Sequence, residues 1–184
     1  MVTTNNKALY EKLCLFRTHG ITRNEDLMTE NHGGWYYQMI ALGYNYRLTE
    51  LQAALGISQL AKAPERLKNR QEIAKRYDQA FLNCEHIKTL RIADDVNHAY
   101  HLYVIQVENR KELYDYLRDN NIFSQVHYIP LHTMPFYKNH TAEQQKLPMA
   151  ESYYKHCLSL PMYPTLTSNE QDYVIKSILS FFNK

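Results

Sequence analysis

The sequence predicts a chain of mixed α/β class, and three observations support this prediction. Hydrophobic residues make up 45% of the 184 residues and charged residues 22%, as in a folded globular protein. The second half has the pattern strand, helix, strand, helix, short strand, helix, which is typical of a small α+β unit. The first half supplies two long helices and the end of a strand, too little for a complete core. We therefore expect part of a larger fold.

The first half begins with the β-branched residues 2–4, which we interpret as the end of a strand. A helix is predicted over residues 7–17, because its apolar residues recur at helical spacing. Residues 21–41 show no clear periodicity, and residues 32–35, with sequence HGGW, are interpreted as a mobile or ligand-facing loop.

Two long helices are predicted next. Thr49 and Gln52 match a capping box, in which each side chain bonds the other's backbone, and they predict a helix start. Pro64 should break or kink this helix, because proline lacks an amide donor. The following helix runs to about residue 81. Its basic residues are expected to be solvated: Arg66, Lys68, Arg70, Lys75 and Arg76.

The second half alternates between strands and helices. The predicted strands are residues 100–107, 122–128 and 158–162. Helices are predicted from Asn109, near residues 150–156 and from Ser168, where Ser168 and Gln171 match another capping box. A loop is expected before the helix near residue 150.

Composition excludes several classes of function. The net charge of +2 is too small for a nucleic-acid binder driven by bulk electrostatics. No apolar run approaches the ~20 residues that cross a bilayer, and residues 1–6 lack the apolar core of a signal peptide. Three widely spaced cysteines, Cys14, Cys84 and Cys157, are typical of reduced thiols, so we expect a cytoplasmic protein without membrane partners.

The sequence gives little support for a metal site or for a nucleophilic cysteine. The histidine pairs His98/His101 and His127/His132 lack the cysteine or carboxylate partners that complete a metal site, so no metal is predicted. The three cysteines are interpreted as packing thiols, since no base accompanies them. A glycine-rich phosphate loop is also missing, because Gly33-Gly34 is the only glycine pair.

Two segments are candidates for ligand binding. Residues 43–47, with sequence GYNYR, place an amide, a guanidinium and two phenols before a helix start that favours anions. Packed tyrosines with a solvated arginine explain this segment equally well. Residues 126–132 and 135–137 end a predicted strand in polar aromatic side chains, which suits a sugar or nucleotide. Ordinary aromatic packing is the alternative there.

These segments also carry a resemblance. The sequences RTHG at 17–20, GYNYRLTELQAALG at 43–56 and QVHYIP at 125–130 occur in this order in the PLP-dependent sugar aminotransferases of the DegT/DnrJ/EryC1/StrS family, which the whole chain resembles. Residues 15–19 and 125–130 are most similar to the aminotransferases of pseudaminic acid synthesis. Those enzymes aminate C4 of a UDP-linked 4-keto-6-deoxy-hexosamine, usually with glutamate as donor.

The resemblance implies the C-terminal portion of a fold type I aminotransferase. Residues 1–63 would be a remnant of the large α/β domain that binds PLP, with an active-site loop and an interface helix. Residues 64–184 would be a linking helix and the small α+β domain. The family implies a homodimer with shared active sites, a UDP-sugar substrate and a glutamate donor.

The resemblance also assigns roles to single residues. Asn45 would donate to the PLP phosphate of the partner subunit, and Arg47 would orient the loop or meet an anionic group of the substrate. His127 and Tyr128 match family positions near the nucleotide sugar. His132 and Tyr137 are further substrate-binding candidates.

One departure from the family bears on catalysis. The Schiff-base lysine of the family would lie upstream of residues 2–4, and Lys7 is no substitute because it opens a helix. No catalytic residue is therefore assigned, and the chain alone is expected to be inactive, binding PLP only with the upstream half present. The alternatives are a non-catalytic nucleotide-sugar-binding or dimerisation module and a standalone α+β domain unrelated to PLP.

Overall fold

The computed structural model describes residues 2–140 and 146–183. The chain divides into two compact units, one up to Ala61 and one from Lys62. We call them unit 1 and unit 2.

Unit 1 contains helix α1 (Lys7–Phe16), strands β1 (Ile21–Thr22) and β2 (Gln38–Met39), and helix α2 (Glu50–Ala61). The predicted helix over 7–17 is confirmed, and its first turn is capped by Asn6. Residues 2–4 form no strand with the other described residues, and the strand end expected there stays a prediction.

Residues 21–41 are more regular than predicted. Strands β1 and β2 pair antiparallel, with Ile21 opposite Met39 and Thr22 opposite Gln38. The Gln38 side chain accepts from the backbone N–H of Thr29 at 2.7 Å and so ties down the intervening loop. A strand of two residues is too short to show alternation, which is why periodicity missed this pair.

Helix α2 starts as predicted but buries no apolar face. Gln52 Oε1 accepts from the Thr49 N–H at 3.0 Å, and Thr49 Oγ1 accepts from the Gln52 N–H at 3.3 Å, which confirms the capping box. Leu51 is 85% exposed, and Trp35 in the preceding loop is 74% exposed. Among the described residues of unit 1, Gly20 alone is buried. Unit 1 therefore has no apolar core of its own.

Unit 2 has a conventional core around a three-stranded antiparallel sheet. Its strands β3 (Lys88–Thr89), β4 (Tyr103–Gln106) and β5 (Cys157–Leu160) lie in the order β3-β4-β5. Its helices are α3 (Ala63–Phe81), α4 (Arg110–Asp119), α5 (Pro135–His140), α6 (Pro148–His156) and α7 (Ser168–Phe182). Six of the largest fully buried core side chains come from the sheet and from α3, α4 and α7: Tyr77, Ile105, Leu113, Leu117, Leu158 and Ile178.

Most helices of unit 2 agree with the sequence. Pro64 lies in the first turn of α3, so the predicted break before it is confirmed. Helix α5 was not predicted, since its six residues lie in a segment expected to be a loop. The last capping box is formed by Thr167 and Glu170, one residue earlier than predicted. Gln171 is instead buried and donates to the Ile73 carbonyl at 2.8 Å.

The strand predicted at residues 122–128 is wrong. Gln125 forms a single bridge to Ser159 of β5, and no ladder follows. Side chains still alternate as they would in a strand, with Ile122 and Ser124 buried and Phe123 exposed. The other two predicted strands are real but shorter, because Tyr100 has a φ of 46° and β5 ends at Leu160.

The basic face of α3 is also less solvated than predicted. One terminal nitrogen of Arg70 donates to the carbonyls of Tyr100, His101 and Met162 at 2.9, 3.3 and 3.2 Å. Arg76 forms an ion pair with Asp172 at 2.6 Å. Arg70 therefore joins α3 to the loops before β4 and after β5, and Arg76 joins α3 to α7.

Candidate functional site

The first candidate segment, residues 43–47, lies across residues 16–20 in unit 1. The Tyr44 N–H donates to Phe16 O at 2.6 Å, the His19 N–H donates to Tyr44 O at 2.9 Å, and the Tyr46 N–H donates to Arg17 O at 3.0 Å. We call this arrangement the loop crossing. It fixes the backbone on both sides of Asn45.

Two glycines make the loop crossing possible. Gly20 has a φ of +70°, and a Cβ there would lie 1.7 Å from the Ala41 carbonyl oxygen. A Cβ on Gly43 would lie 2.2 Å from the Gly20 nitrogen. Both distances are far below any real contact, so the two backbones meet only where neither residue has a side chain.

The loop crossing brings two predicted site residues together. The Nε–H of Arg47 donates to Asn45 Oδ1 at 3.1 Å, and both side chains are exposed. Asn45 Nδ2 has no partner within the part of the chain that the structure describes. An amide that can donate beside a guanidinium fits an anionic oxygen such as that of a phosphate. The tyrosines of the segment stack on each other, with Tyr44 and Tyr46 ring centroids 5.0 Å apart.

The second candidate segment lies in unit 2. His127 is half-buried, and its Nδ1 lies 2.8 Å from Ser159 Oγ. The exposed Tyr128 ring meets the His127 ring edge-on, with centroids 4.7 Å apart. Ser159 was missed by the sequence reasoning. What distinguishes Ser159 is its polar side chain within β5, a strand whose four residues are all buried.

His132 is held by Glu151, a residue that the sequence analysis did not predict. Its Nε2–H donates to Glu151 Oε1 of α6 at 3.0 Å. Glu151 also accepts from the Leu147 N–H, so it joins the turn containing His132 to the start of α6. Tyr137 lies on α5, where its ring packs edge-on against Phe136. The structure thus gives His132 an internal partner in addition to its predicted role in substrate binding.

The Glu151–His132 pair should make local order depend on pH. The hydrogen bond from His132, followed by that from Leu147, holds the pKa of Glu151 below its ordinary value of 4.5. A lowered pKa means that the contact stabilises the fold above pH 4.5 and is lost as the pH falls through the folded-state value.

This dependence can be measured by NMR titration of the Glu151 carboxyl carbon. We expect its midpoint to lie below 4.5 and to rise toward 4.5 in His132→Ala. His156→Ala is the control, because His156 pairs with Glu108 instead. An unchanged midpoint in His132→Ala would contradict the assignment.

The remaining chemistry of the described residues is limited. Within residues 2–140 and 146–183, no three metal-ligating side chains come together. Cys157 is buried as predicted, and burial raises the pKa of its thiol, which disfavours a nucleophilic role. Cys14 and Cys84 are half-buried. The described helices include none that is both long enough and apolar enough to span a bilayer.

Comparison with known proteins gives a consistent result. A profile of the DegT/DnrJ/EryC1/StrS aminotransferase family matches residues 1–179. The spore coat polysaccharide biosynthesis protein SpsC of Bacillus subtilis is 37% identical, over 97% of this chain and 48% of its own. The UDP-4-amino-4,6-dideoxy-N-acetyl-beta-L-altrosamine transaminase of Campylobacter jejuni is 35% identical, over 100% of this chain and 48% of its own.

Comparison with solved structures also finds sugar aminotransferases. Helicobacter pylori PseC, an aminotransferase involved in the biosynthesis of pseudoaminic acid, superposes with a TM-score of 0.85 at 30% identity. The match covers 98% of this chain and 47% of PseC, so the chain spans about half the length of the proteins it matches. The predicted fold class, part of a fold type I PLP-dependent aminotransferase, is confirmed.

Proposed function

Because the chain belongs to the DegT/DnrJ/EryC1/StrS aminotransferase family, we propose that it is the C-terminal part of a nucleotide-sugar aminotransferase. The proposed reaction moves an amino group, usually from glutamate, to C4 of a UDP-4-keto-6-deoxy-hexosamine in surface-glycan synthesis. The similarity to the UDP-4-amino-4,6-dideoxy-N-acetyl-beta-L-altrosamine transaminase of Campylobacter jejuni supports this substrate class. The observation that carries the proposal is the loop crossing, which pairs Asn45 with Arg47.

Family members use PLP, which supplies an electron sink for amino transfer when bound. In our proposal, Asn45 donates from Nδ2 to the PLP phosphate of the partner subunit. Its Oδ1 is occupied by Arg47, which orients the amide so that its donor side is available. We propose that PLP binding requires the upstream half as well, because the resemblance places the lysine that the family joins to PLP upstream of residues 2–4.

We propose that residues 1–63 belong to the large PLP-binding domain and residues 64–184 to the linking helix and small domain. The exposed apolar side chains of unit 1 support this division, since a unit without a core needs further protein to cover it. Helix α2 exposes Leu51, Leu55 and Ile57, and its small residues allow close approach by another backbone. We assign this helix to the interface of a cytoplasmic homodimer.

The second candidate segment is assigned to the substrate. His127 and Tyr128 would contact the nucleotide sugar, with His132 and Tyr137 beside it. Their polar rings suit hydroxyl and phosphate oxygens, and Tyr128 is 68% exposed and so able to stack on a ring.

Reduction with borohydride tests whether catalysis needs the upstream half. We expect no specific pyridoxyl adduct when PLP and then borohydride are added to the 184-residue chain. Lys7 lies at the start of α1, 3.9 Å from Glu11, and its side chain is 89% exposed within the part of the chain that the structure describes. Mass analysis of the chain with the upstream half restored should show one adduct, on an upstream lysine. A single modified lysine within this chain would overturn the proposal.

The exposed face of α2 favours one alternative, a non-catalytic nucleotide-sugar-binding or dimerisation module. Calorimetry with a UDP-sugar separates the two functions. Binding by this chain alone, unchanged when the upstream half is restored, would support the module. Binding that appears only with the upstream half would support the aminotransferase.

A further inference from the structure

We infer that Ser159 is a positioning residue, whose hydroxyl donates to Nδ1 of His127 and fixes this ring with its hydrogen on Nε2. His127 then presents a hydrogen-bond donor to an acceptor oxygen of the nucleotide sugar. This inference rests on the proposed function for its ligand, while the state of the ring can be measured without any ligand.

The position of the Ser159 hydroxyl is set by backbone pairing on both sides. Ser159 lies in β5 opposite Val104 of β4 and is 4% exposed. On its other side, its N–H donates to Gln125 O at 2.7 Å and its carbonyl accepts from the Gln125 N–H at 3.1 Å. Gln125 precedes His127 by two residues. Backbone hydrogen bonds therefore hold the serine beside the histidine segment independently of the side chains.

The hydrogen-bond partners available to Ser159 Oγ indicate whether the hydroxyl or the His127 ring is the donor. Within residues 2–140 and 146–183, His127 Nδ1 is the one partner of Ser159 Oγ, at 2.8 Å. If Nδ1 carried the hydrogen and donated, the serine hydroxyl hydrogen would be buried without an acceptor. A buried donor left without a partner is costly, so the arrangement in which the hydroxyl donates is favoured.

The consequence for His127 follows from the chemistry of a neutral imidazole, which carries one hydrogen on one of its two nitrogens. With Nδ1 accepting, Nε2 carries the hydrogen. Nε2 has no partner in the described part of the chain, and the ring is half-buried. In the proposed site, the nitrogen left for the ligand is therefore a donor, suited to a phosphate, hydroxyl or carbonyl oxygen.

NMR of the full chain with ¹⁵N-labelled histidine tests this inference at mildly alkaline pH. The His127 signals are assigned from their loss in His127→Gln. We expect Nδ1 to show the shift of an unprotonated ring nitrogen and Nε2 that of a protonated one. In Ser159→Ala, we expect the Nδ1 and Nε2 shifts to be averaged over the two neutral tautomers, because no hydroxyl then favours one of them.

Two further variants keep the test decisive. Ser124→Ala removes a hydroxyl that is also buried, lies three residues before His127 and has no partner among the described residues. It should leave the His127 shifts unchanged. Ser159→Thr keeps the hydroxyl and should keep the wild-type pattern. A protonated Nδ1 in the wild type, or identical shifts in the wild type and Ser159→Ala, would overturn the inference even where the proposed function stands.

Discussion

Gly43→Ala should open the loop crossing at a cost of about 3 kcal/mol, because three backbone hydrogen bonds of about 1 kcal/mol each would be lost. The added Cβ would lie 2.2 Å from the Gly20 nitrogen, 2.6 Å from the His19 carbonyl carbon and 2.9 Å from the Phe16 oxygen. All three neighbours are backbone atoms, so no side-chain rotation can relieve the contact. The two segments must separate, and Asn45 loses its fixed position.

Amide hydrogen exchange measures this effect directly. Protection of the Tyr44, Tyr46 and His19 amides should fall about 100-fold, which corresponds to about 3 kcal/mol. Gly56→Ala is the matched control, since a Cβ there meets nothing within 4 Å and the residue lies inside α2. Alanine should stabilise that helix by about 1 kcal/mol. Equal protection at the crossing in Gly43→Ala and the wild type would refute the steric argument.

Arg70→Ala should destabilise unit 2 by about 2–4 kcal/mol, since hydrogen bonds from a charged donor contribute about 1.5–3 kcal/mol each and the three share one nitrogen. The three carbonyls belong to Tyr100, His101 and Met162. Arg70 thus joins the loop before β4 to the loop after β5. Urea unfolding followed by far-ultraviolet circular dichroism measures the change.

Two variants of the same helix serve as controls for Arg70→Ala. Arg70→Lys should restore only part of the stability, because an ammonium group lacks the planar array of guanidinium donors. Lys68→Ala should cost under about 0.5 kcal/mol, because Lys68 is exposed and its nearest carboxylate, on Glu72, lies 3.9 Å away. Similar losses in Arg70→Ala and Lys68→Ala would show that the carbonyl contacts contribute nothing.

The helices were predictable because their signals are local. The Thr49 capping box and the break at Pro64 each depend on residues within one turn. Residues 122–128 show the limit of such signals, since alternation reports burial and not whether a ladder forms. In the same way, a two-residue pair such as β1–β2 carries no period to detect.

The sequence suggests which residues belong to the candidate site, and that assignment stays a prediction, but it does not reveal the residues that hold them in place. Residues 43–47 were selected by their chemistry, but the contact with residues 16–20 depends on chain folding that no local pattern encodes. Ser159 meets His127 across 32 residues of sequence, and Glu151 meets His132 across 19. Groups that orient a binding residue act through such long-range contacts, so their identity appears only once the fold is known.

The exposed Trp35 has a practical consequence. It is the single tryptophan of the chain and lies in unit 1, whereas the core of unit 2 contains tyrosine and phenylalanine. Its emission therefore reports on the loop of unit 1 that contains it and should have the long wavelength of an indole in water. Any protein that covers this loop would shift the emission to shorter wavelength, so association of unit 1 has a built-in optical probe that needs no label.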